Sequence, residues 1–406
     1  MKFKRNAILA VGAVFAVAVA ACGSSKTAVP QTTATTAATT AAPTTTAAPV
    51  TTAAPVTTAA PTTTAAPSGG PWGWPGDVKT GFLPPKEPDV NGDGKVVIGV
   101  ISPGDLNDHG FYESFIDTAN AFAKANGWTV IPVGKVAVAD AAKAARDMCA
   151  QHPDMVAIAA SELKDAIPVS QEDVCKGTVW YVAGGQGVVQ TPFFVQTNDV
   201  ESQSAYASGV AAGLLLKAAG KTKAGFITGG KFSFTTDFAK GWEAGIKSIV
   251  PNESVVSTYT GDFNDSAKAV EAYKAMKSQG VAIVYPYLGG ATFAVAGAAK
   301  ADKIPVLTPG TDNCAVTDPP FAISVIFSPG DYFGSALGPF NAGKLKVGTA
   351  LTFHMGADPV PTVKFCKPTG DQATVLAQLI TDIGTGKVRT DQLTGLNDYN
   401  GYTPGA

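Results

Sequence analysis

The chain has 406 residues, is 45% hydrophobic and 15% charged, and carries 30 basic against 32 acidic side chains, for a formal net charge of −2. Four of the basic residues (Lys2, Lys4, Arg5 and Lys26) and none of the acids fall before position 68, so the remainder holds 26 basic and 32 acidic residues, a net of −6. No Lys/Arg cluster runs along it, which excludes a polyanion partner such as nucleic acid. About 320 residues beyond the N-terminal tract are enough for two lobes with separate cores.

Lys2, Lys4 and Arg5 precede an apolar run from Ala7 to Ala21, and small residues then lead to Cys22. These are the n-region, h-region and cleavage site of a secretory signal, expected over 1–21. About 15 apolar residues fall short of the roughly 20 that a spanning helix needs. The Val-Ala-Ala-Cys ending resembles the lipobox of bacterial lipoproteins. It implies acylation of Cys22 and anchoring to the outer face of the cytoplasmic membrane; an ordinary cleaved signal is the alternative. From Cys22 the unit TTAAPV recurs with small variations, and Pro every few residues blocks helix and sheet ladders. Residues 22–93 are therefore expected to form a lipidated, Thr/Ala/Pro-rich, disordered tether.

After Asp93, β-branched runs alternate with amphipathic stretches, the pattern of βαβ units and parallel sheets. The first series runs through the strand KVVIGVIS (95–102), a helix from about Gly110 to Ala125, the strand WTVIPV, a helix over 139–150, the strand MVAIAAS, a helix to about Val174 and the strand TVWYVAGG. FFVQTND (193–199) reads as a connector. The second series takes the helix ESQSAYASGVAAGLLLKAAG, the strand KAGFITGG, a helix from Thr235 to Val250, the strand SVVSTYTGDF and the helix DSAKAVEAYKAMKSQG. It ends with VAIVYPYLGG, the helix TFAVAGAAKAD and IPVLTPGTD. Beyond Asp312, the strand AISVIFS, a helix near 331–342, a strand pair at LTFHM and VKFC, and a helix from Gln372 to Ile383 are too few for a third lobe. They serve to complete both sheets and to cross between them.

Cys149, Cys175, Cys314 and Cys366 remain beside Cys22. In an exported chain this even number favours two disulfides, with three connectivities open and the sequence neighbours Cys149–Cys175 and Cys314–Cys366 expected. No close Cys/His pairs suggest a metal, and no cofactor is expected. GFITGGKF (225–232) lacks the Ser or Thr that a P-loop needs after its Lys. DVNGDG (89–94) begins like a calcium loop, but position 12 is Val100, so a tight turn is expected. His109, next to the expected cleft, is the one histidine placed to donate to a ligand. No acid/base or nucleophile set is visible, so no enzyme activity is expected.

Several local patterns occur in one order: GDLNDHGFYESF after the first strand, SAYASGVAAGLL, KAGFITGG with FAKGWEAGIKSI, the segment from GDFNDSAKAV to YPYLGGATFAVAGAAK, and PGTDN. Over about Val96 to Val388 the chain resembles the basic membrane protein family of bacterial solute-binding lipoproteins. The resemblance implies an α/β fold of two Rossmann-like lobes with parallel sheets joined by a multi-strand hinge, the type I periplasmic-binding fold. It implies a nucleoside-like or other aromatic, ribosyl ligand between the lobes and an ABC permease in the membrane as partner, with the receptor a monomer. A sensor signalling to a membrane partner, or a receptor for a sugar or amino acid, is the alternative.

Lobe 1 is expected over 94–197 plus about 313–345, lobe 2 over 198–312 plus about 346–390, and a C-terminal tail over 391–406. Asn107, Asp108, Phe111, Tyr112, Tyr287, Gly289, Gly290 and Asp312 are the expected ligand-binding residues. Carboxylates at Asp108 and Asp312 suit vicinal hydroxyls, aromatic rings suit a base, and the Gly-Gly turn allows close backbone approach. The chain departs from the family where a Lys is common soon after Ser324-Val325, having Ile326, Phe327 and Ser328. TVWYVAGGQG likewise ends in glycines where an Asp is common. Both departures point to a less polar ligand, such as a modified nucleoside or another aromatic heterocycle.

Overall fold

The computed structural model describes residues 69–185, 187–400 and 402–404. The signal segment 1–21, Cys22 with its expected lipid, and the linker up to Ser68 lie outside the described residues.

A short hairpin, β1 (Gly76–Asp77) and β2 (Gly81–Phe82), comes first. There follow β3 (Val97–Ile101), α1 (Phe111–Asn126), β4 (Thr129–Val133), α2 (Ala141–Cys149), β5 (Met155–Ile158), β6 (Val179–Ala183) and β7 (Val195–Asp199). The second series is α3 (Glu201–Ala218), β8 (Lys223–Thr228), α4 (Ser233–Ile249), β9 (Ser254–Tyr259), α5 (Ser266–Ser278), β10 (Ile283–Tyr287), α6 (Thr292–Asp302) and β11 (Leu307–Gly310). The chain then forms β12 (Ile323–Ile326), α7 (Pro329–Asn341), β13 (Ala350–Phe353), β14 (Thr362–Phe365), α8 (Gln372–Gly384) and α9 (Thr390–Thr394).

Lobe 1 is built on a six-stranded parallel sheet ordered β13-β7-β6-β5-β3-β4. Its inner strands β3, β5 and β6 are apolar throughout because both faces are covered, whereas β7 is polar beyond Val195. Val179 and Tyr181 of β6 face α1 and α7, with Phe115 and Phe333, while Trp180 and Val182 face the Cys149–Cys175 side. Lobe 2 joins the parallel trio β9-β8-β10 to β11-β12-β14 through a bridge between Val284 and Val306, with only β14 antiparallel. The chain passes between lobes at 199–201, 326–329 and 353–362, which makes the hinge. Both expected disulfides are present, Cys149–Cys175 and Cys314–Cys366. Asp89 accepts from the Asp93 and Gly94 backbone N–H groups, closing the tight turn before β3.

Four expectations need correction. FFVQTND is no connector: its last five residues are β7, a buried strand between β6 and β13. LTFHM and VKFC do not pair with each other, since β13 extends the lobe 1 sheet beside β7 and β14 lies beside β12 in lobe 2. The expected division at 313–345 and 346–390 therefore breaks down. β12 belongs to lobe 2, α7 packs on α1 of lobe 1, and β13 returns to lobe 1. Among the described residues, neither the stretch before β3 nor the stretch after α9 is a free tail. Phe82 exchanges backbone hydrogen bonds with Val347 and is buried in the lobe 1 core, so the end of the expected linker is part of the folded unit. At the other end Leu396 and Tyr399 are buried, and the Asp398 carboxylate accepts from Ser202 N and Oγ at 2.6 and 2.9 Å.

The same N-terminal segment sets a pH dependence. Glu87 Oε2 accepts from Leu345 N at 3.1 Å, while Oε1 is buried without a partner. Removal from water pushes its carboxyl up to about 8, and the Leu345 N–H only partly offsets this. A carboxyl raised on folding contributes stability that is complete below its unfolded value, near 4.5, and lost as pH rises through about 8. Glu87→Gln keeps an acceptor for Leu345 and removes the charge. Its Tm is expected to match wild type near pH 4 and to exceed it above about pH 8. Thermal melts at the two pH values check this, and an equal offset at both would contradict it.

Candidate functional site

A cavity of about 590 Å³ opens between the lobes at the carboxyl ends of β5, β6, β7, β9, β10 and β12, the position where open α/β sheets bind ligands. Strand ends deliver side chains there because each strand must turn into its following element at the sheet edge. Lobe 1 supplies Phe111 and Tyr112 from the first turn of α1, and Tyr332 from α7. Lobe 2 supplies Phe234 and Phe238 from α4, with Phe263, Tyr287 and Phe327 from the strand ends. The rings form a connected wall. Tyr287 stacks on Phe238 at 4.5 Å, Phe327 lies 6.0 Å from Tyr287, and Phe111 reaches across from lobe 1 to within 6.2 Å of Phe327. At these separations the rings are in direct offset and tilted contact with one another and present apolar faces and edges to the cavity.

The polar lining is acidic. Glu162 follows β5 and accepts a hydrogen bond from the Tyr112 hydroxyl at 3.0 Å. Removal from water raises its carboxyl, and that hydrogen bond counteracts only part of the shift. Asp199 closes β7; desolvation, aided by the nearby Asp398 charge, pushes it up to about 6, with a backbone N–H a partial offset. Glu201, Asp237 and Asp398 complete the carboxylates, and Gln196 of β7 lines the wall with its Oε1 buried and unpartnered. None of the described lining residues is Lys, Arg or His. Among the described residues no cluster of His, Cys, Asp or Glu is arranged to hold a metal ion.

Of the residues expected from sequence, Phe111, Tyr112, Tyr287 and Gly289 line the cavity. Asp108 sits behind it as the cap of α1, its carboxylate accepting from the N–H groups of Gly110, Tyr112 and Glu113. Gly290 donates its N–H to Asn264 Oδ1, and Asn107 turns to Asp105. Neither lines the cavity. His109 is exposed and pairs with Glu113.

Asp312 does not line the cavity. Its exposed carboxylate pairs with Lys364 at 2.8 Å and accepts from Cys314 N, because the antiparallel β14 brings Lys364 opposite Ser324 at the sheet end. Asp312→Ala is accordingly expected to leave solute affinity within about twofold of wild type, an exposed pair being worth at most ~1 kcal/mol. Titration of the variant checks this, and a loss of binding would return Asp312 to the site.

Sequence reasoning missed Glu162, Asp199, Asp237 and Gln196. Taking 193–199 as a connector hid that Asp199 is a strand-end residue, placed beside the strand whose own end is glycine. Phe327 faces the cavity as an aromatic ring.

Residues 95–369 match the family model described as ABC transporter substrate-binding protein PnrA-like. The ABC transporter nucleoside-binding protein BmpA of Lactococcus lactis is 40% identical over 101 residues, 25% of this chain and 28% of that protein. The CD4+ T-cell-stimulating antigen of Listeria monocytogenes is 32% identical over 100 residues, 25% of this chain and 27% of that protein. The chain thus aligns with under a third of the length of these curated relatives. Among solved structures, an ABC transporter system solute-binding protein from Conexibacter woesei superposes with TM-score 0.54 at 22% identity, covering 72% of this chain and 98% of that one. Another from Aeropyrum pernix K1 gives TM-score 0.58 at 15% identity, covering 74% and 90%. At these identities the structural likeness establishes the two-lobed fold.

Proposed function

The chain belongs to the family of PnrA-like ABC transporter substrate-binding proteins, and from that premise we propose that its interlobe cavity captures a nucleoside-like or other aromatic solute and presents it to a membrane permease. The family is one of substrate-binding proteins, so the chain binds rather than catalyses. The observation that carries the proposal is the aromatic wall at the strand ends, contributed by both lobes. A solute that stacks between Phe111 on one lobe and Tyr287 with Phe238 on the other gains contact only when the lobes close. Binding is thereby coupled to hinge motion at the crossings between lobes. Tyr112 and Gly289 join these rings as proposed contacts. The Lactococcus relative is described as nucleoside-binding, which favours a base over a sugar or an amino acid as the stacked group.

We place the protein outside the cytoplasmic membrane, held by a lipid on Cys22, as a monomer with the permease as partner. Ligand that binds only the folded state raises Tm by mass action. A thermal-shift panel of nucleosides, bases, sugars and amino acids is expected to show its largest shifts with aromatic solutes. Silence across all nucleosides and bases at millimolar concentration would overturn the proposal.

A further inference from the structure

Charge balance in the cavity points to a property of the solute that the family assignment does not give. Glu162, Asp199, Glu201 and Asp237 line the same cavity as the aromatic rings. Among the described residues Glu162, Asp199 and Asp237 form no ion pair, and no Lys, Arg or His joins the lining. The helix N-termini that face the cleft do not answer this charge, because several already have acceptors. Asp108 takes the first N–H groups of α1, Ser328 Oγ takes Asp331 N of α7, and Asp398 takes Ser202 N of α3.

The carboxylates surround the rings. The Tyr287 hydroxyl is raised chiefly by removal from water, with smaller contributions from Glu201, Tyr285, Asp199 and Glu162, so carboxylates of the lining also act on the ring that the solute would stack against. Gln196, only 4% exposed, adds a buried Oε1 with no donor. Glu162 and Asp199 are withdrawn from water with no ion pair among the described residues, which is costly, and lobe closure over a neutral solute would withdraw them further. A positively charged group supplies the counter-charge. It also gains from the negative faces of Tyr and Phe rings and offers a donor to Gln196 when it carries N–H.

We propose that the solute captured by this cleft is an organic cation: a protonated or quaternary amine, or a positively charged heterocycle, carried on a flat apolar body. Its charge lies among Glu162, Asp199 and Asp237, and its body lies between Phe111 and the Tyr287–Phe238 pair. The inference rests on the reading of the cavity as the solute-capture site, and it adds the sign of the solute's charge.

The test uses matched probes on the full mature chain. Tryptamine is compared with neutral tryptophol, 1-methyladenosine with adenosine, and indole acetate serves as the anion. Calorimetric titration at neutral pH is expected to show the cationic member of at least one pair binding about tenfold or more tightly than its neutral partner, with no binding of the anion. Asp199→Asn is expected to weaken the cation by about 100-fold while leaving the neutral probe nearly unchanged. That variant removes a desolvated charge, so its apo Tm should equal or exceed that of wild type. Glu162→Gln is the second variant and keeps an acceptor for Tyr112. Equal or tighter binding of the neutral members overturns the cation inference while leaving aromatic solute capture standing. Absence of binding by every cationic probe, with a neutral nucleoside bound, does the same. Absence of binding by every member of the panel overturns both.

Discussion

Gly209→Val and Gly245→Val are each expected to destabilise lobe 2 by about 3 kcal/mol or more, the upper range for overpacking, because neither neighbour can move aside. α3 and α4 touch backbone to backbone where these residues face each other. A Cβ on Gly209 would lie 2.1 Å from Trp242 O, and one on Gly245 would lie 2.2 Å from Tyr206 O. Carbonyl groups within helices cannot rotate out of the way as a flexible side chain can. The alternative is to push the helices apart, which would open the core that Phe226, Phe238 and Trp242 fill beneath α3. α3 is buried around nearly its whole circumference, which is why it is Ala- and Gly-rich instead of amphipathic. Urea unfolding of either variant should give a clearly lower midpoint, and an unchanged midpoint would mean that the helices are not in contact as described.

Gly289→Val should instead spare the fold and damage capture. Gly289 sits at the lobe 2 side of the cavity, where a Cβ would stand 2.9 Å from Asn264 Oδ1 and 3.2 Å from Tyr112 Cε2 on the opposite lobe. A branched side chain there holds Tyr112 away and keeps the lobes from meeting across the solute. The expected result is a loss of affinity of about 100-fold, on the order of 3 kcal/mol, from contacts made only on closure. The apo Tm should change by no more than a few degrees. Melting curves with and without solute separate the two effects; a variant that binds normally would show that closure does not pass through this contact.

The fold was largely legible because parallel strands covered on both faces leave continuous apolar runs such as VWYVA (179–183), and α1 shows its buried stripe at Phe115, Ala119 and Ala123. Legibility failed where local pattern and tertiary partner part ways. β7 carries Gln196, Thr197, Asn198 and Asp199, polar for a central strand, and becomes one only because β6 and β13 flank it. β13 and β14 are adjacent in sequence yet belong to different lobes, and hinge crossings leave no mark in periodicity.

At the site, aromatic residues beside strand-end glycines were readable, as Tyr287 and Gly289 show. Phe111 and Tyr112 were readable because they open a helix directly after a strand. Asp312 was misleading: a carboxylate in a turn looks the same whether it faces a cleft or a lysine brought by a strand about 50 residues later. The acidic character of the wall was hidden because Glu162, Asp199 and Asp237 come from three separate elements and share no motif.

The central claim, that the cavity between the lobes is where solute is captured, is tested most directly by calorimetric titration of the strongest thermal-shift hit into wild type and Tyr287→Ala. Tyr287 stacks on Phe238 and faces Phe327 at the centre of the wall, so its removal should leave a folded protein that binds at least about tenfold more weakly. One solute per chain in wild type and that loss in the variant are the predicted result. The same Kd in both proteins would contradict it and place capture elsewhere on the molecule.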